Sequence, residues 1–159
     1  MSAGVPLDGT DAVRVRLPGG NKRALLARLS AIGEALTGQR RSAVLAALTE
    51  RERLGSTGLG AGVALPHGRL EGITRVHGAF ARLASPVDFE AVDGQPVDLV
   101  FMLLSPLDAG AEHLKALAAA SRALRDRERV EKLRGARSRD AMLALLTGGD
   151  VVGGGSGRA

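Results

Sequence analysis

A run of consecutive apolar residues in the second half of the chain restricts the fold more than any other feature. The run, Leu99-Val100-Phe101-Met102-Leu103-Leu104, shows no alternation between apolar and polar positions. A strand with one face in water alternates, whereas a strand covered on both faces does not. We therefore predict a central strand over 97–104, closed by Pro106, in a sheet that must carry helices on both sides.

Helical periodicity occurs on both sides of this strand in the sequence. Ahead of it, apolar residues recur at three- and four-residue intervals between Asn21, a good N-cap, and Gly38, a stop signal. A second helix is predicted from about Ser42 to Arg53. After the strand, helices are expected over 111–125, 128–134 and 138–147, and the first of them should bury Leu114, Leu117, Ala118 and Leu124.

The remaining apolar segments are short enough to be strands. We predict an edge strand at 13–17 and strands at 63–65, 76–83 and 87–90, with an Asp-Gly turn at 93–96. These elements indicate an α/β fold: a mixed central sheet of about five strands flanked by helices on both faces. The expected organisation is an N-terminal segment, 1–20, one domain, 21–147, and a flexible Gly-rich tail, 148–159.

Composition excludes several classes of protein. The 159 residues contain no cysteine, which excludes disulfides, iron–sulfur clusters and thiol nucleophiles. The net charge is +5, but the basic residues are scattered among acidic ones and the aromatic content is 2%, so we expect no nucleic-acid binding. No apolar run reaches 18 residues and no leader pattern opens the chain, so we expect a cytoplasmic protein without membrane insertion.

One of the three histidines stands out by its surroundings. His67 follows the short apolar run 63–65, after a glycine-rich segment, and lies between Pro66 and Gly68. Such a ring has little bulk around it and can be reached by a partner. A neutral imidazole is a nucleophile at physiological pH. If it attacks phosphorus, the charge on the phosphoryl oxygens needs positive and hydrogen-bonding groups nearby.

The chain supplies candidates for those groups. His113 lies at the start of the helix after the central strand and could meet His67 at one edge of the sheet. Arg51 ends the helix before the glycine segment, whose backbone N–H groups we expect to be uncovered. Leu59, Val63 and Leu65 are candidates for an apolar ring around His67, although the last two also suit the core.

Other interpretations stay open from the residues alone. His67 could be a hydrogen-bonded structural ring, and His113 an exposed residue of a first helical turn. His77, inside a predicted strand, is interpreted as structural. The histidines include no close ligand pair, so no metal site is predicted, and no motif calls for a cofactor. Ser56 and Thr57 fit turn roles better than nucleophilic ones.

Two longer motifs and one residue pair carry a family resemblance. Residues 51–68, Arg-Glu-Arg-Leu-Gly-Ser-Thr-Gly-Leu-Gly-Ala-Gly-Val-Ala-Leu-Pro-His-Gly, closely resemble the phosphorylation segment of enzyme IIA proteins of the phosphoenolpyruvate-dependent phosphotransferase system, fructose/mannitol type. Residues 89–106 and the pair His113-Leu114 agree with the same family. The Gly-Ser-Thr-Gly stretch is nearest to its nitrogen-regulatory branch. The similarity extends from about residue 20 to 147.

The resemblance implies a role for each candidate. His67 would accept the phosphoryl group, His113 would contact it, and Arg51 would supply the guanidinium. The sequence departs from the family in two places: Ala61 stands where asparagine is common, and the residues before 20 are unlike the usual opening helix.

The implied function is that of a phosphocarrier, a phosphotransferase-system component with a phosphohistidine intermediate. It would be phosphorylated by an HPr-like protein and would regulate nitrogen, potassium or stress responses through protein contacts. An alternative is a sugar-specific enzyme IIA that passes phosphate to an enzyme IIB. A further alternative is an interaction protein that is never phosphorylated, which only Ala61 favours.

Overall fold

The computed structural model describes residues 4–148, and within them the chain forms five helices and six strands. The helices are α1 (Lys22–Thr37), α2 (Arg41–Arg53), α3 (Gly110–Arg125), α4 (Arg127–Gly135) and α5 (Arg139–Thr147). The strands are β1 (Val13–Leu17), β2 (Gly58–Gly60), β3 (Val63–Ala64), β4 (His67–Leu70), β5 (His77–Val87) and β6 (Val97–Pro106).

All six strands belong to one mixed sheet centred on β6. The strand order is β1-β5-β6-β3-β2, and β4 continues beside β6 where β3 ends. Strand β6 pairs antiparallel with β5 on one side and parallel with β3 and then β4 on the other. The apolar run that predicted a central strand therefore lies at the centre of the sheet, and all its residues are buried.

The two faces of the sheet support separate hydrophobic clusters. One cluster joins α1 and α2 to the face that carries Val100, Met102 and Leu104. The other joins α3, α4 and α5 to the opposite face, which carries Leu99, Phe101 and Leu103. Alternate residues of β6 thus enter different clusters, as the period of two in a strand requires. The predicted α/β fold with helices on both faces is confirmed.

Capping residues set the helix ends where the sequence indicated them. The Asn21 side chain accepts a hydrogen bond from the Ala24 N–H at the start of α1, and Gly38 ends that helix in the left-handed conformation, with φ 78°. Ser138 caps α5 by accepting from the Ala141 N–H. These local signals worked because each depends on the helix's own unpaired backbone groups rather than on distant contacts.

Three strand predictions were inaccurate. The segments predicted as 76–83 and 87–90 are a single strand, β5, which ends at Val87 with a register shift near that end. The strand predicted at 63–65 ends at Ala64. After Leu65 and Pro66, His67 begins a new strand rather than following the last one. Strand β6 also continues through Pro106 because β4 pairs with it there.

The prediction for the buried face of α3 was correct for Leu124, which is buried, and for Leu117 in part, which is half-buried, but wrong for Leu114 and Ala118. Leu114 is 66% exposed and Ala118 is exposed, whereas His113, Ala116 and Ala120 are buried. The sheet face under α3 already carries bulky rings, among them Phe80 and Phe101, so small helical residues fill the space above them. The larger leucine is left outside.

The N-terminal residues take part in the sheet. The predicted strand at 13–17 is confirmed as β1, an edge strand parallel to β5. The Gly-rich tail, beyond Gly148, lies outside the described residues. Among the helices of residues 4–148, none combines the length and the apolar character that a membrane span requires.

Candidate active site

His67 begins β4 and lies half-buried beside Leu103 of the central strand. Its Nδ1 is 2.8 Å from the carbonyl oxygen of Leu65. A carbonyl oxygen only accepts hydrogen bonds, so Nδ1 must carry the proton and donate. In the neutral ring, Nε2 then holds the free lone pair. The local backbone therefore selects one nitrogen as the nucleophilic atom, which the sequence alone did not indicate.

His113 lies in the first turn of α3, facing the sheet, and is 6% exposed. The centroids of the His67 and His113 rings are 5.6 Å apart, and the rings are tilted by 52°. The Nδ1 atom of His113 is 2.6 Å from the Ser105 hydroxyl of β6. Two histidines that are 46 positions apart in the sequence are thus brought together at one sheet edge, as predicted from the strand ends.

The pairing of β4 with β6 explains why these groups meet. His67 pairs with Leu103 and Arg69 pairs with Ser105, so all four side chains belong to the sheet face that α3 covers. Sequence reasoning missed Arg69 and Ser105. Arg69 could have been found from its i, i+2 spacing to His67, but this required knowing that His67 starts a strand.

Arg51 lies in the last turn of α2, where Nη1 of its guanidinium donates to the Gly55 carbonyl oxygen at 2.8 Å. That contact fixes the side chain while leaving other N–H donors of the guanidinium available. Its charge is near enough to lower the pKa of His67. Arg51 therefore acts electrostatically on His67, and its contact with a phosphoryl group stays a prediction.

A buried carboxylate next to Arg51 was not anticipated. The Glu52 side chain is 6% exposed, forms a 2.9 Å ion pair with Lys22 and accepts from both the backbone N–H and the hydroxyl of Thr57. Glu52 also acts on His67 by raising its pKa electrostatically. This carboxylate ties α2, on which it lies, to α1 through Lys22 and to the glycine segment through Thr57.

The electrostatic surroundings keep both imidazoles neutral. Burial lowers the pKa of His67, and the nearby Arg51 charge adds to this, whereas the Leu65 carbonyl and Glu52 oppose it. Burial also lowers the pKa of His113, with smaller contributions from Arg69 and His67. At neutral pH, both rings are therefore uncharged, which leaves the Nε2 lone pair of His67 free to attack an electrophile.

The glycine segment provides fewer free N–H groups than we expected, since three of them are occupied. The N–H groups of Thr57, Gly58 and Ala61 donate to Glu52, Ser56 and Asp93, respectively. These N–H groups are occupied because a buried N–H that lacks a partner is costly, and the tight turns of this segment place acceptors within reach. The positive groups around His67 come from side chains instead.

The turn at Ala61 adopts a conformation that favours glycine or asparagine. Ala61 has φ 56°, between Gly60 and Gly62, whose φ angles are also positive. Asp93 accepts from its N–H, and Arg134 donates to its carbonyl oxygen. The missing asparagine is thus compensated by two side-chain contacts to the backbone.

The candidate residues lie apart from a groove that could hold a small molecule. A groove of about 660 Å³ runs between the Ala61 turn and the α3–α4 corner, where it is lined by Val92, Leu124 and Arg127 among others. His67, His113 and Arg51 do not line it. Within residues 4–148, no cluster of three or more His, Cys, Asp or Glu side chains is arranged to hold a metal ion.

A family profile and several known proteins match most of this chain. The family profile for "Phosphoenolpyruvate-dependent sugar phosphotransferase system, EIIA 2" matches residues 10–148. The chain belongs to this family. The match begins ahead of β1 and includes every strand and helix described above, so the whole sheet is part of this EIIA domain.

Relatives in the nitrogen-regulatory branch are similar over most of the chain. A nitrogen regulatory protein of Bradyrhizobium diazoefficiens is 48% identical over 136 residues, which cover 86% of this chain and 89% of that protein. The crystal structure of IIA-Ntr from Neisseria meningitidis superposes with a TM-score of 0.85 at 37% identity, covering 89% of this chain and 97% of that one.

The sugar-transport branch shares the fold. The Escherichia coli enzyme IIA for mannitol, in a complex with phosphorylated enzyme IIB, matches with a TM-score of 0.72 at 21% identity, over 88% of this chain and 97% of that chain. The present EIIA protein is therefore a homologue of nitrogen regulatory proteins on a fold that sugar-specific enzymes also use.

Proposed function

We propose that this EIIA protein is a phosphocarrier that accepts a phosphoryl group on Nε2 of His67 and acts as a nitrogen-pathway regulator. The observation that carries the proposal is the half-buried imidazole whose Nδ1 is tied to the Leu65 carbonyl, with a second imidazole 5.6 Å away. This arrangement leaves one nucleophilic nitrogen directed away from the backbone. Its relatives in the nitrogen-regulatory branch support the regulatory role.

The transfer requires no additional reactant. The Nε2 lone pair of His67 attacks the phosphorus of a phosphohistidine on the donor protein, and a new N–P bond forms. The donor's N–P bond breaks, and its electron pair stays on the donor ring nitrogen, which leaves as part of a neutral imidazole. Because Nδ1–H of His67 donates to Leu65 throughout, that proton stays in place and supports the positive charge that develops on the ring.

Three cationic or donor groups are available for the phosphoryl oxygens. His113 can donate through Nε2–H, and the guanidinium groups of Arg51 and Arg69 supply positive charge. A transferring phosphoryl group carries its charge on three oxygens, so stabilisation by fixed donors is the main contribution that a protein can make.

The surface near His67 suits a protein donor. Large apolar side chains that remain exposed within residues 4–148 are few, and Leu54, Leu107 and Leu114 are among them, at 71%, 54% and 66%. Leu54 follows α2, which carries Arg51. Leu107 follows β6, which carries Ser105, and Leu114 adjoins His113. Exposed leucines next to a reactive centre are typical of a protein–protein contact, so we propose an HPr-like phosphocarrier as the donor.

Phosphorylation would change what a regulatory target meets at this surface. It places a charge of about −1.5 to −2 on His67, where the unmodified ring is neutral. The exposed leucines near it, Leu54, Leu107 and Leu114, form what we call the leucine rim. A target that packs on the leucines would be released or selected by that charge. Because the phosphoryl group derives from phosphoenolpyruvate inside the cell, we place the protein in the cytoplasm.

A second candidate function is phosphoryl transfer to an enzyme IIB of a sugar transporter. It is favoured by the shared fold with the mannitol enzyme IIA, which forms a complex with phosphorylated enzyme IIB. The same His67 would serve both functions, so they differ in the acceptor and not in the chemistry. The third possibility, an unphosphorylated interaction protein, predicts no label on His67.

The deciding experiment is phosphorylation with labelled phosphoenolpyruvate, enzyme I and an HPr-like protein. We expect an acid-labile label on the wild type and none on His67→Ala. His77→Gln is the matched control, because it removes a histidine that lies outside the site, and it should still be labelled. A label that persists on His67→Ala overturns the site, and transfer of the label onward to an enzyme IIB would favour the sugar branch.

A further inference from the structure

The Ser105 hydroxyl is buried at the point where His113 meets the sheet. Ser105 is 0% exposed, and its Oγ lies 2.6 Å from His113 Nδ1. Within residues 4–148, this nitrogen is the one side-chain or backbone partner of that hydroxyl. The contact joins a strand to a helix and has no counterpart in the proposed roles of His67, Arg51 and Arg69.

Two arrangements of the proton are possible in this pair. Either the Ser105 O–H donates to an unprotonated Nδ1, or Nδ1–H donates to the serine oxygen. In the second arrangement the hydroxyl proton is left without an acceptor in a site closed to water. A buried donor without a partner costs about 1–3 kcal/mol, whereas an acceptor with an unused lone pair costs less. The first arrangement is therefore the stable one.

The direction of this hydrogen bond decides what His113 can do. We infer that Ser105 is a positioning residue that donates to Nδ1 of His113 and so holds that ring as the Nε2–H tautomer, directed at the phosphoryl site. A neutral ring of the other tautomer would present a lone pair to the phosphoryl oxygens and repel them. The inference rests on the proposed function of the site, since it names what makes His113 a donor.

The two histidines are then set to opposite tautomers by two different oxygens. The Leu65 carbonyl can only accept, and it fixes the proton of His67 on Nδ1. The Ser105 hydroxyl donates, and it fixes the proton of His113 on Nε2. One ring thus offers a lone pair and the other offers an N–H. A transfer site needs one of each, a nucleophile and a donor to the phosphoryl oxygens.

Burial makes the tautomer matter. His113 is 6% exposed, and burial, Arg69 and His67 all lower its pKa, so the ring is neutral at neutral pH. A protonated imidazole would donate from both nitrogens whatever Ser105 did, whereas a neutral one has a single N–H.

The test begins with the tautomers themselves. Two-bond ¹H–¹⁵N correlation spectra at about pH 8, above the ordinary histidine pKa of about 6.5, distinguish Nδ1–H from Nε2–H rings. The three histidines can be assigned with His67→Gln and His77→Gln. We expect His113 as Nε2–H and His67 as Nδ1–H in the wild type. A His113 ring in the Nδ1–H form overturns the inference, and this measurement needs no variant at Ser105.

The second part removes the hydroxyl. In Ser105→Ala we expect a mixture of His113 tautomers and phosphoryl transfer slowed about tenfold, less than the 10²–10³ that complete loss of a positioned donor causes. Ser30→Ala is the matched control, because Ser30 is also buried, at 1%, but donates to Leu26 inside α1. It should leave both readouts unchanged.

The outcomes separate this inference from the proposed function. If Ser105→Ala keeps the wild-type tautomer and transfer rate, the role of Ser105 is wrong while the phosphocarrier function stands. If the wild type takes no label but shows the two opposite tautomers, the phosphocarrier function fails and the structural assignment of Ser105 is still supported.

Discussion

Two histidines lie beside neighbouring positions of the central strand, and they have different surroundings. His67 pairs with Leu103 on one side of β6, and His77 pairs with Leu104 on the other. Each ring places Nδ1 against an oxygen. For His67 this oxygen is a backbone carbonyl two residues away; for His77 it is the carboxylate of Asp8, at 2.6 Å.

The Asp8 carboxylate gives His77 a structural role, because it fixes the N-terminal segment to the start of β5. Asp8 also accepts from the Gly78 N–H, and the chain before it passes so close to Gly78 that no side chain would fit there. His77 is 8% exposed and lies at the start of β5, inside the sheet. Among residues 4–148, no carboxylate bonds to the His67 ring, which keeps part of its surface open. The partner of Nδ1 and the cover over the ring, not the residue type, therefore separate a reactive histidine from a structural one.

Replacing each of these two histidines by glutamine should have the strongest effect, and a different one at each position. His67→Gln should reduce phosphoryl transfer at least 10³-fold, because the nucleophile is gone, and should change the free energy of unfolding by less than about 1 kcal/mol. His77→Gln should keep the transfer but lower the free energy of unfolding by about 1–3 kcal/mol, since Asp8 loses a buried partner. Labelling and urea titration of both variants measure this, and a reversed pattern would contradict the comparison.

A smaller effect is expected at the leucine rim. Leu114→Asp should raise the KM for the HPr-like donor about tenfold, with little change in kcat, because the charge disturbs an apolar contact without touching the rings. Val92→Asp is the control, since Val92 is 86% exposed but lies at the groove near Ala61. Steady-state transfer measured against donor concentration gives both constants. Equal effects of the two substitutions would place the donor elsewhere.

The neutral imidazole pair predicts a dependence of stability on pH. The folded-state pKa values of His67 and His113 lie below the ordinary value of about 6.5. As the pH falls through that value, the unfolded chain binds protons that the folded protein does not, so the free energy of unfolding decreases. Urea titrations at about pH 7.5 and pH 5.5 should show this loss. The double variant His67→Gln/His113→Gln should lose less, and an unchanged difference would exclude the two rings as its source.

The smallest effect concerns the Ala61 turn. Ala61→Asn should raise the free energy of unfolding by about 0.5–1 kcal/mol, because asparagine tolerates a positive φ better than alanine. Thermal or urea unfolding measures the gain, and the transfer rate should stay as in the wild type. A loss of stability would show that Asp93 and Arg134 require the alanine.

Much of the site was predictable because its parts are local. His67 between Pro66 and Gly68, the end of α2 at Arg51, and the caps Asn21 and Ser138 all depend on a few adjacent residues. The meeting of His67 with His113 was predicted from strand ends, whereas in the structure it depends on the register of β4 with β6, which pairs His67 with Leu103. The prediction of free N–H groups in the glycine segment failed at Thr57 and Ala61, since Glu52 and Asp93 reach them from other segments.

Hydrophobic patterning and backbone capping act over short stretches of chain, so the amino-acid sequence predicted a buried central strand, helices on both faces, the ends of several helices and the candidate histidine. Three features became visible only in the folded chain: which nitrogen of His67 is free, that Ser105 and Arg69 adjoin His113, and that Leu114 faces outward. Each of these depends on strand register and on the volume of facing side chains, and both are set by residues distant in the sequence.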